Sequence, residues 1–304
     1  MRVLVTGAGG FIGRALVPRL VDGGHTVRAL CRGAVLDGTT YSAGLTPALG
    51  DADLETLCGQ QQAVVHLAGI AHGDATSAAE LLRYNAELTE RVFRAAQAAG
   101  VERFVYLSSS KVLGDGGERP LPVQAPLNPQ DSYAASKATA EERLAAIAPG
   151  PTRLLILRPP LVYGPGVRAN FARLLWLAAL PLPPPLGAAT APRSFISLTN
   201  LTQGIECALR APAGTYHLAD PDAWSTAAMA AVLRAATHRG SRLLPLSPGI
   251  ARGLLTLIGR GDWFTRLFAP SVLETSGSFE QLAFEPAPAA AHAAETMRWY
   301  LSQR

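Results

Sequence analysis

The segment RVLVTGAGGFIG, Arg2 to Gly13, sets the class of fold that this sequence adopts. Its first five residues, Arg2–Thr6, are mostly apolar or β-branched and predict a buried strand. Gly7, Gly10 and Gly13 follow at intervals of three. The first glycine permits a tight turn, the second lets the backbone approach a pyrophosphate, and the third lets a helix lie close to the sheet. A strand, a glycine turn and a helix in this order predict a doubly wound α/β fold that binds a dinucleotide.

The helix after this turn carries apolar residues at helical spacing, Ile12, Leu16 and Leu20. Its N-terminus would present free N–H groups and a positive dipole end to a phosphate. The candidate cofactor residues here are Gly7, Gly10, Phe11, Ile12 and Gly13. An ordinary glycine-rich turn is the alternative. Pro18 lies inside the predicted helix, where it predicts a kink or a shortened helix.

The second predicted strand, His25–Leu30, ends at the position that selects the cofactor. A site that prefers NAD places an acidic residue there for the ribose hydroxyls, whereas this chain has Arg32. Arginine suits a 2′-phosphate, so the sequence favours NADP over NAD; an ordinary surface arginine is the alternative. A short third strand is predicted at Thr46–Leu49, and Asp51 after it is a candidate to receive the adenine amino group.

A fourth strand, Ala63–Leu67, is followed by small residues that would let the backbone pass the cofactor. The candidate cofactor residues are Leu67, Ala68 and Gly69. A long helix is predicted over Ser77–Ala99. Asn85 lies in its interior, where a buried asparagine needs hydrogen-bond partners. We therefore expect Asn85 to tie the neighbouring strand end to the site.

The chemistry is predicted at the fifth strand, Arg103–Ser108, and the helix Pro129–Ala148 that follows the loop Gly114–Asn128. The strand brings serines to its carboxyl end, where open α/β sheets bind ligands. Tyr133 and Lys137 stand four apart, hence on one face of the helix. An ammonium there favours the phenolate, so the pKa of Tyr133 is predicted to fall below its usual value of about 10.

A tyrosine tuned in this way can exchange a proton with a sugar hydroxyl near neutral pH, and a nearby serine hydroxyl can bind the same oxygen. That arrangement suits the movement of hydride between carbon and a nicotinamide. A solvated helix face is the alternative for this spacing alone. Composition favours the catalytic interpretation, because the whole chain has only two lysines, Lys111 and Lys137, and both lie in these segments.

A sixth strand, Thr152–Arg158, ends at Pro159 and Pro160. The sequence predicts a dinucleotide-binding domain at 1–160, to which 193–218 returns, and a smaller substrate domain at 161–304. Further elements are predicted as a loop over Leu161–Gly166, helices over Asn170–Leu180, Asn200–Leu209, Ser225–Ala236, Ile250–Ala269 and Ala287–Gln303, and strands over Arg193–Leu198 and Thr215–Leu218.

Composition narrows the location and the partners of the chain. The net charge is +4, but the arginines are scattered, which argues against a nucleic-acid surface and suits a small anionic ligand. Three separated cysteines argue for a reducing compartment and against a disulfide framework or a metal site. No signal peptide is recognised, and four prolines interrupt the apolar stretch Leu174–Leu186, so no membrane span is expected. A cytoplasmic location is expected.

Together these residues resemble the extended short-chain dehydrogenase/reductase family, in its nucleotide-sugar epimerase/dehydratase branch. The resemblance covers nearly the whole chain. It rests on the glycine turn, His66-Leu67-Ala68, Ser108-Ser109-Ser110, Tyr133 with Lys137, the run from Arg158 to Pro165, and Arg193-Ser194-Phe195-Ile196. It implies a doubly wound sheet with a smaller α/β substrate lobe. It also implies a homodimer formed through the helices 77–99 and 129–148.

The resemblance implies a role for each matching residue. Ser109 would be the catalytic hydroxyl, with Ser110 next in order, Tyr133 the acid and base, and Lys137 the group that binds the nicotinamide ribose. Ser108 and Pro160 would contact the cofactor. Asn170 and Arg193 would hold the nucleotide diphosphate, for which the arginine fork is suited; a surface salt bridge is the alternative for Arg193.

One departure from the family pattern bears on the reaction. The 4,6-dehydratases carry Asp-Glu directly after the catalytic hydroxyl, whereas this chain has Ser110 and Lys111 there. Dehydration is therefore disfavoured. Lys111 is left with a phosphate, a carboxylate or solvent as its partner, and the first of these makes it a candidate substrate residue.

The local sequence resembles a subgroup labelled UDP-glucose 4-epimerase-like, some of whose relatives reduce 4-keto sugars. Three functions therefore stay open. The first is a UDP-sugar 4-epimerase with tightly held NAD, and the second is an NAD(P)H-dependent 4-ketoreductase of a nucleotide-linked 4-keto-6-deoxy sugar, favoured by Arg32. The third, a non-catalytic NAD(P)-binding regulator, would be expected to lose Tyr133 or Lys137, and both are present.

Overall fold

A computed structural model describes residues 1–31, 45–70, 77–117, 119–257, 259 and 262–304. Within these ranges the strands are β1 Arg2–Thr6, β2 Thr26–Leu30, β3 Ala63–His66, β4 Arg103–Leu107, β5 Arg153–Arg158, β6 Leu161–Tyr163, β7 Pro192–Arg193, β8 Phe195–Ser197, β9 Gly214–His217 and β10 Trp224–Ser225. The helices are α1 Phe11–Asp22, α2 Asp51–Cys58, α3 Ala78–Leu82, α4 Leu88–Ala98, α5 Ser132–Ile147, α6 Ala169–Ala179, α7 Leu198–Ala208, α8 Thr226–Ala235, α9 Pro248–Leu257, α10 Asp262–Phe268, α11 Ser276–Leu282 and α12 Ala289–Ser302.

Six of the described strands form one parallel sheet in the order β2-β1-β3-β4-β5-β9. One apolar cluster packs α1 and α7 on one face, and a second packs α2, α4 and α5 on the other. Helices on both faces of a parallel sheet make a doubly wound α/β fold, which confirms the predicted fold class. Because β9 pairs with β5, the chain returns to this sheet after residue 193.

A third apolar cluster lies in the second half of the chain, around Tyr163, Phe171, Leu233 and Met297. It joins α6, α8 and α12, and two small sheets, β6 with β8 and β7 with β10, lie beside it. In the part of the chain that the structure describes, no helix is both long and apolar enough to cross a bilayer.

The third predicted strand is wrong, because Thr46–Leu49 forms a turn closed by a hydrogen bond from Leu49 N to Thr46 O (3.1 Å). The physical reason lies in Arg91 of α4. Its guanidinium binds the carbonyl of Pro47 at 2.9 Å and also that of Leu49. These acceptors are therefore engaged by a side chain instead of a neighbouring strand.

The predicted loop Leu161–Gly166 begins with the short strand β6, which pairs with β8. The single strand predicted at Arg193–Leu198 is divided into β7 and β8, because its two halves pair with different partners. Between them, Ser194 N donates to Ser271 O at 2.9 Å, and Ser194 Oγ accepts from Leu273 N at 3.0 Å.

Three helix predictions also need correction. The helix predicted over Ile250–Ala269 is two helices, α9 and α10, and α11 was not predicted. Pro18 does not shorten α1, which continues to Asp22. The long helix over Ser77–Ala99 is present, with Ser77 as its N-cap, but it contains a π-helical turn at Arg83–Glu87. Such turns often occur at functional sites.

Candidate active site

The glycine turn lies between the ends of β1 and β3. Gly7 has φ +71°, and a Cβ on it would come within 2.8 Å of Ala68 N. Gly10 N donates to Gly7 O at 2.9 Å, and Gly10 is the N-cap of α1, with no side chain capping the helix. A Cβ on Gly13 would collide with Gly7 O. The three glycines therefore bring the strand, the turn and the helix together as predicted, and leave the first N–H groups of α1 open to an anion.

Helix α5 begins after Asp131, whose Oδ1 accepts from Ala134 N at 2.7 Å. Tyr133 lies in its first turn and shares a side-chain hydrogen bond with Ser109, which follows the end of β4. Ser109 Oγ also accepts from Lys111 N at 3.3 Å. The structure thus places the hydroxyl of Ser109 against the phenol.

Lys137 lies one turn further along α5 and is 5% exposed. Its Nζ donates to Leu107 O at 2.9 Å and lies 4.7 Å from the centre of the Tyr106 ring. Burial lowers the pKa of Lys137 to about 8, opposed by the charge of Glu141. The ammonium is therefore fixed at the carboxyl end of β4, beside the serines.

The prediction that the pKa of Tyr133 falls below its usual value is wrong. Burial raises the pKa of Tyr133 to about 12. The hydrogen bond with Ser109 acts in the opposite direction, and the charge of Asp131 raises it further. The spacing on the helix was right, but spacing alone does not show how strongly burial penalises the phenolate.

Asn85, in the π-helical turn, is fully buried and ties the segment after β3 to α5. Its Oδ1 accepts from Ile70 N at 2.8 Å, and its Nδ2 donates to Ile70 O at 3.0 Å and to Ser136 Oγ at 2.9 Å. Ser136 Oγ in turn donates to Tyr133 O at 2.8 Å. Gly69 is packed so closely that a Cβ on it would lie 2.9 Å from Asn85 Oδ1 and 3.5 Å from Lys137 Nζ.

A buried ion pair beneath the site was not predicted. Glu141, one further turn along α5, pairs with Arg158 at the end of β5, with Arg158 Nη2 2.5 Å from Glu141 Oε2. Ser108 Oγ donates to Glu141 as well, and Arg158 Nη1 donates to Val123 O at 2.9 Å. The hydroxyl of Ser108 is therefore used by Glu141, whereas the sequence assigned Ser108 to the cofactor. The spacing of four residues between Tyr133, Lys137 and Glu141 was the sequence signal that Glu141 shares their helix face.

The predicted substrate residues lie on several elements. Lys111 Nζ donates to Asp131 Oδ2 at 2.7 Å, so a carboxylate is the partner that the structure gives it. Asn170, in the first turn of α6, accepts from Arg173 Nη1 at 3.3 Å. Arg193 is half-buried and donates to Ala269 O at 3.0 Å and Thr265 O at 3.3 Å. Its guanidinium therefore binds carbonyl oxygens at the C-terminal end of α10.

Three candidates remain: Asp51 and Pro160, which the structure describes, and Arg32, which it does not. Asp51 begins α2, and its largely exposed carboxylate binds Arg91 Nε at 2.8 Å. Pro160 lies between β5 and β6, next to Pro159, whose carbonyl accepts from Ser110 N at 2.9 Å. Arg32 lies outside the described residues, so the prediction of a 2′-phosphate contact stays a prediction.

The geometry agrees with the comparison to known protein families. The model of one family matches residues 3–219, more than half of the chain. The chain belongs to the NAD dependent epimerase/dehydratase family. Membership confirms the resemblance drawn from the motifs, and it makes the protein an enzyme.

One curated relative and two solved structures are similar to this chain. This chain is 33% identical to a UDP-glucose 4-epimerase of Vibrio cholerae. The alignment spans 298 residues, which are 93% of this chain and 90% of the relative. Its fold matches MoeE5 in complex with UDP-glucose and NAD at a TM-score of 0.79 and 24% identity, over 100% and 99% of the two chains. It matches a UDP-N-acetylglucosamine 4-epimerase of Bacillus cereus at a TM-score of 0.80 and 22% identity, with the same coverage.

Proposed function

We propose that this enzyme is a UDP-sugar 4-epimerase, which oxidises and re-reduces C4 of a nucleotide-activated hexose. The observation that carries the proposal is the hydrogen bond between Ser109 and Tyr133, with Lys137 one turn away at the carboxyl end of β4. The relative of Vibrio cholerae, a UDP-glucose 4-epimerase that aligns over nearly the whole chain, supports the choice of reaction and nucleotide.

The residues present fit a dinucleotide. Gly7, Gly10 and the open N-terminus of α1 form a cradle for a pyrophosphate, and a Cβ at Gly7 would push against the backbone of Ala68 beside it. The small residues Ala68 and Gly69 leave room for the cofactor beside the glycine turn. Lys137 would donate a hydrogen bond to a ribose hydroxyl. A bound nicotinamide would supply the acceptor for the C4 hydride and then the donor that returns it to the opposite face of the sugar. Its oxidised ring is also a positive charge, which would lower the pKa of Tyr133.

The side chains of this enzyme then move and hold the proton. Tyr133 takes the proton of the C4 hydroxyl as hydride leaves C4, and returns it to the C4 oxygen in the second half of the reaction. Ser109 donates to the same sugar oxygen and keeps it within reach of the phenol. Lys137 keeps a positive charge at this end of α5, and Asn85 holds the backbone of Tyr133 in place through Ser136.

Arg193, Asn170 and Lys111 are proposed for the substrate side. Arg193 and Asn170 would bind the diphosphate, with Arg193 exchanging its carbonyl partners for phosphate oxygens. Lys111 is bound to Asp131 at the start of α5. A lysine held in this way is not the acid/base pair of a dehydratase, so epimerisation is proposed and dehydration is not.

A 4-ketoreductase of a nucleotide-linked 4-keto-6-deoxy sugar is the second candidate. It would use Ser109 and Tyr133 once, in the reducing direction, and release its cofactor. The sequence observation that favours it is Arg32, where a site for NAD usually has an acidic residue. Under either function we propose the division into a dinucleotide-binding domain and a substrate domain, a homodimer formed through the helices of residues 77–99 and 129–148, and a cytoplasmic location.

Two measurements on purified protein separate the candidates. Mass spectrometry of the small molecules released on denaturation should find about one NAD per chain if the enzyme is an epimerase. Incubation with UDP-glucose, without added cofactor, should then give UDP-galactose. An empty site, no interconversion, and NADPH-dependent reduction of a 4-keto sugar nucleotide would instead establish the reductase. A protein that neither holds nor uses NAD or NADP would refute both.

A further inference from the structure

An exposed apolar ridge lies on the second half of the chain. It consists of Trp176, Leu182, Leu244 and Ile250, whose exposed fractions are 49%, 76%, 49% and 57%. Exposed apolar residues that occur singly are ordinary, but a contiguous group usually marks an interaction surface.

Hydrogen bonds between the two segments that carry the ridge show that they run side by side. Leu244 N donates to Pro184 O at 3.0 Å, and Gly187 N donates to Leu244 O at 3.0 Å. Nearer to Trp176, Arg234 donates to the carbonyls of Leu180 (2.8 Å) and Pro181 (3.0 Å). The ridge residues therefore belong to adjoining strips of backbone at one edge of this lobe.

The two segments that carry the ridge contain charged residues of one sign only. Residues 161–205 and 223–261, which contain both strips, carry eight arginines and no aspartate or glutamate. Four of these arginines are exposed and close in sequence to the ridge: Arg173, Arg239, Arg242 and Arg252. Arg173 lies three residues before Trp176 on α6, so the two side chains are neighbours on one helix face.

We propose that this ridge is a docking surface for an anionic phospholipid bilayer, on which the enzyme lies without spanning it. Leucine, isoleucine and tryptophan would enter the boundary between headgroups and acyl chains, where tryptophan is enriched. The arginines would bind lipid phosphates while their stems cover apolar surface. The absence of carboxylates in both segments removes the repulsion that would oppose such binding.

A second copy of the chain is the other occupant to consider. The core of a protein–protein interface is depleted of charged residues, and two copies of this ridge would bring arginines together with no carboxylate from these segments. The charge therefore favours lipid. The proposal does not depend on the reaction catalysed, and it leaves the catalytic residues untouched.

The test is sedimentation of the full-length enzyme with vesicles. Vesicles of phosphatidylcholine are compared with vesicles in which about a third of the lipid is phosphatidylglycerol. The enzyme should sediment with the anionic vesicles only, and less at high salt. Leu182→Ser should weaken binding about tenfold or more, because this variant loses a leucine side chain that enters the bilayer when the enzyme binds. Arg242→Gln should weaken it about fivefold.

Matched controls are Leu301→Ser on α12, 38% exposed, and Arg94→Gln on α4, 57% exposed, both of which should bind as the wild type does. Equal binding to the two kinds of vesicle, or no binding to either, would overturn the proposal. So would a Leu182→Ser variant that binds vesicles normally but has a smaller mass by light scattering, since the ridge would then be an interface between copies. Circular dichroism reports whether each variant is folded.

Discussion

Removing one charge of the buried ion pair beneath the site should destabilise the folded protein. Glu141 and Arg158 are 4% and 8% exposed in their side chains. Arg158 Nε lies 3.1 Å from each carboxylate oxygen of Glu141, and Nη2 lies 2.5 Å from Oε2. Glu141→Gln keeps the shape and one acceptor but leaves the guanidinium buried without a counter-charge.

Breaking a buried pair by removing one charge costs about 3–5 kcal/mol. Because glutamine retains an acceptor, we expect the lower end, about 3 kcal/mol. Unfolding entropy of about 2 cal/mol/K per residue makes this a fall of roughly 5 °C in the melting temperature of a chain of this size. Thermal unfolding followed by circular dichroism measures it.

A matched control and a double variant sharpen the test. Glu90 forms partly exposed ion pairs with Arg94 (2.9 Å) and Arg143 (3.2 Å), so Glu90→Gln should cost less than about 1 kcal/mol. Glu141→Leu combined with Arg158→Met removes both charges and should recover most of the loss caused by Glu141→Leu alone. The reasoning is refuted if Glu141→Gln is no more harmful than Glu90→Gln, or if the two losses in the double variant simply add.

Three further predictions concern the cofactor and the pKa values. Gly7→Ala should weaken NAD binding at least tenfold, because the φ of +71° at Gly7 and the 2.8 Å approach to Ala68 N both resist a Cβ. The control Gly24→Ala, with φ +78° and open space around it, should leave NAD binding unchanged. Equal NAD affinities of the two variants, measured by calorimetry, would contradict this prediction. The pKa of Lys137 is lowered to about 8, so the folded protein binds fewer protons than the unfolded chain between about pH 8 and the usual lysine pKa. The melting temperature of the wild type relative to that of Lys137→Met should therefore rise with pH through this window and be constant below it. A difference in melting temperature that does not depend on pH would disprove the shift. Arg32→Ala should weaken NADPH more than NADH in titrations followed by fluorescence, and an equal loss for both would dismiss the 2′-phosphate contact.

The sequence was most informative where one residue type is physically required. Only glycine fits at Gly7, where φ is positive and another backbone passes within van der Waals distance. A repeat of four on a helix places side chains on one face in any fold, so Tyr133 and Lys137 could be paired without coordinates. The parallel sheet followed from strands alternating with helices.

The sequence failed where the outcome depends on contacts between distant segments. Arg91 competes for the carbonyls of Pro47 and Leu49 from 44 and 42 residues away, and nothing local signals it. The direction of the pKa shift of Tyr133 depends on burial, which spacing does not reveal. The partner of Glu141 is Arg158 on β5 rather than a residue of α5. The spacing of four residues therefore showed that Glu141 shares a helix face with Lys137, but it did not show the ion pair.

The most direct test of the central claim is turnover of Tyr133→Phe, with UDP-glucose as substrate and NAD binding measured in parallel. Phenylalanine fills the same space and removes only the hydroxyl that Ser109 contacts. We expect turnover to fall by roughly 10²–10⁴-fold, the usual contribution of a general acid or base, with NAD affinity nearly unchanged. Wild-type turnover in this variant, with NAD still bound, would show that the phenol does not carry the proton.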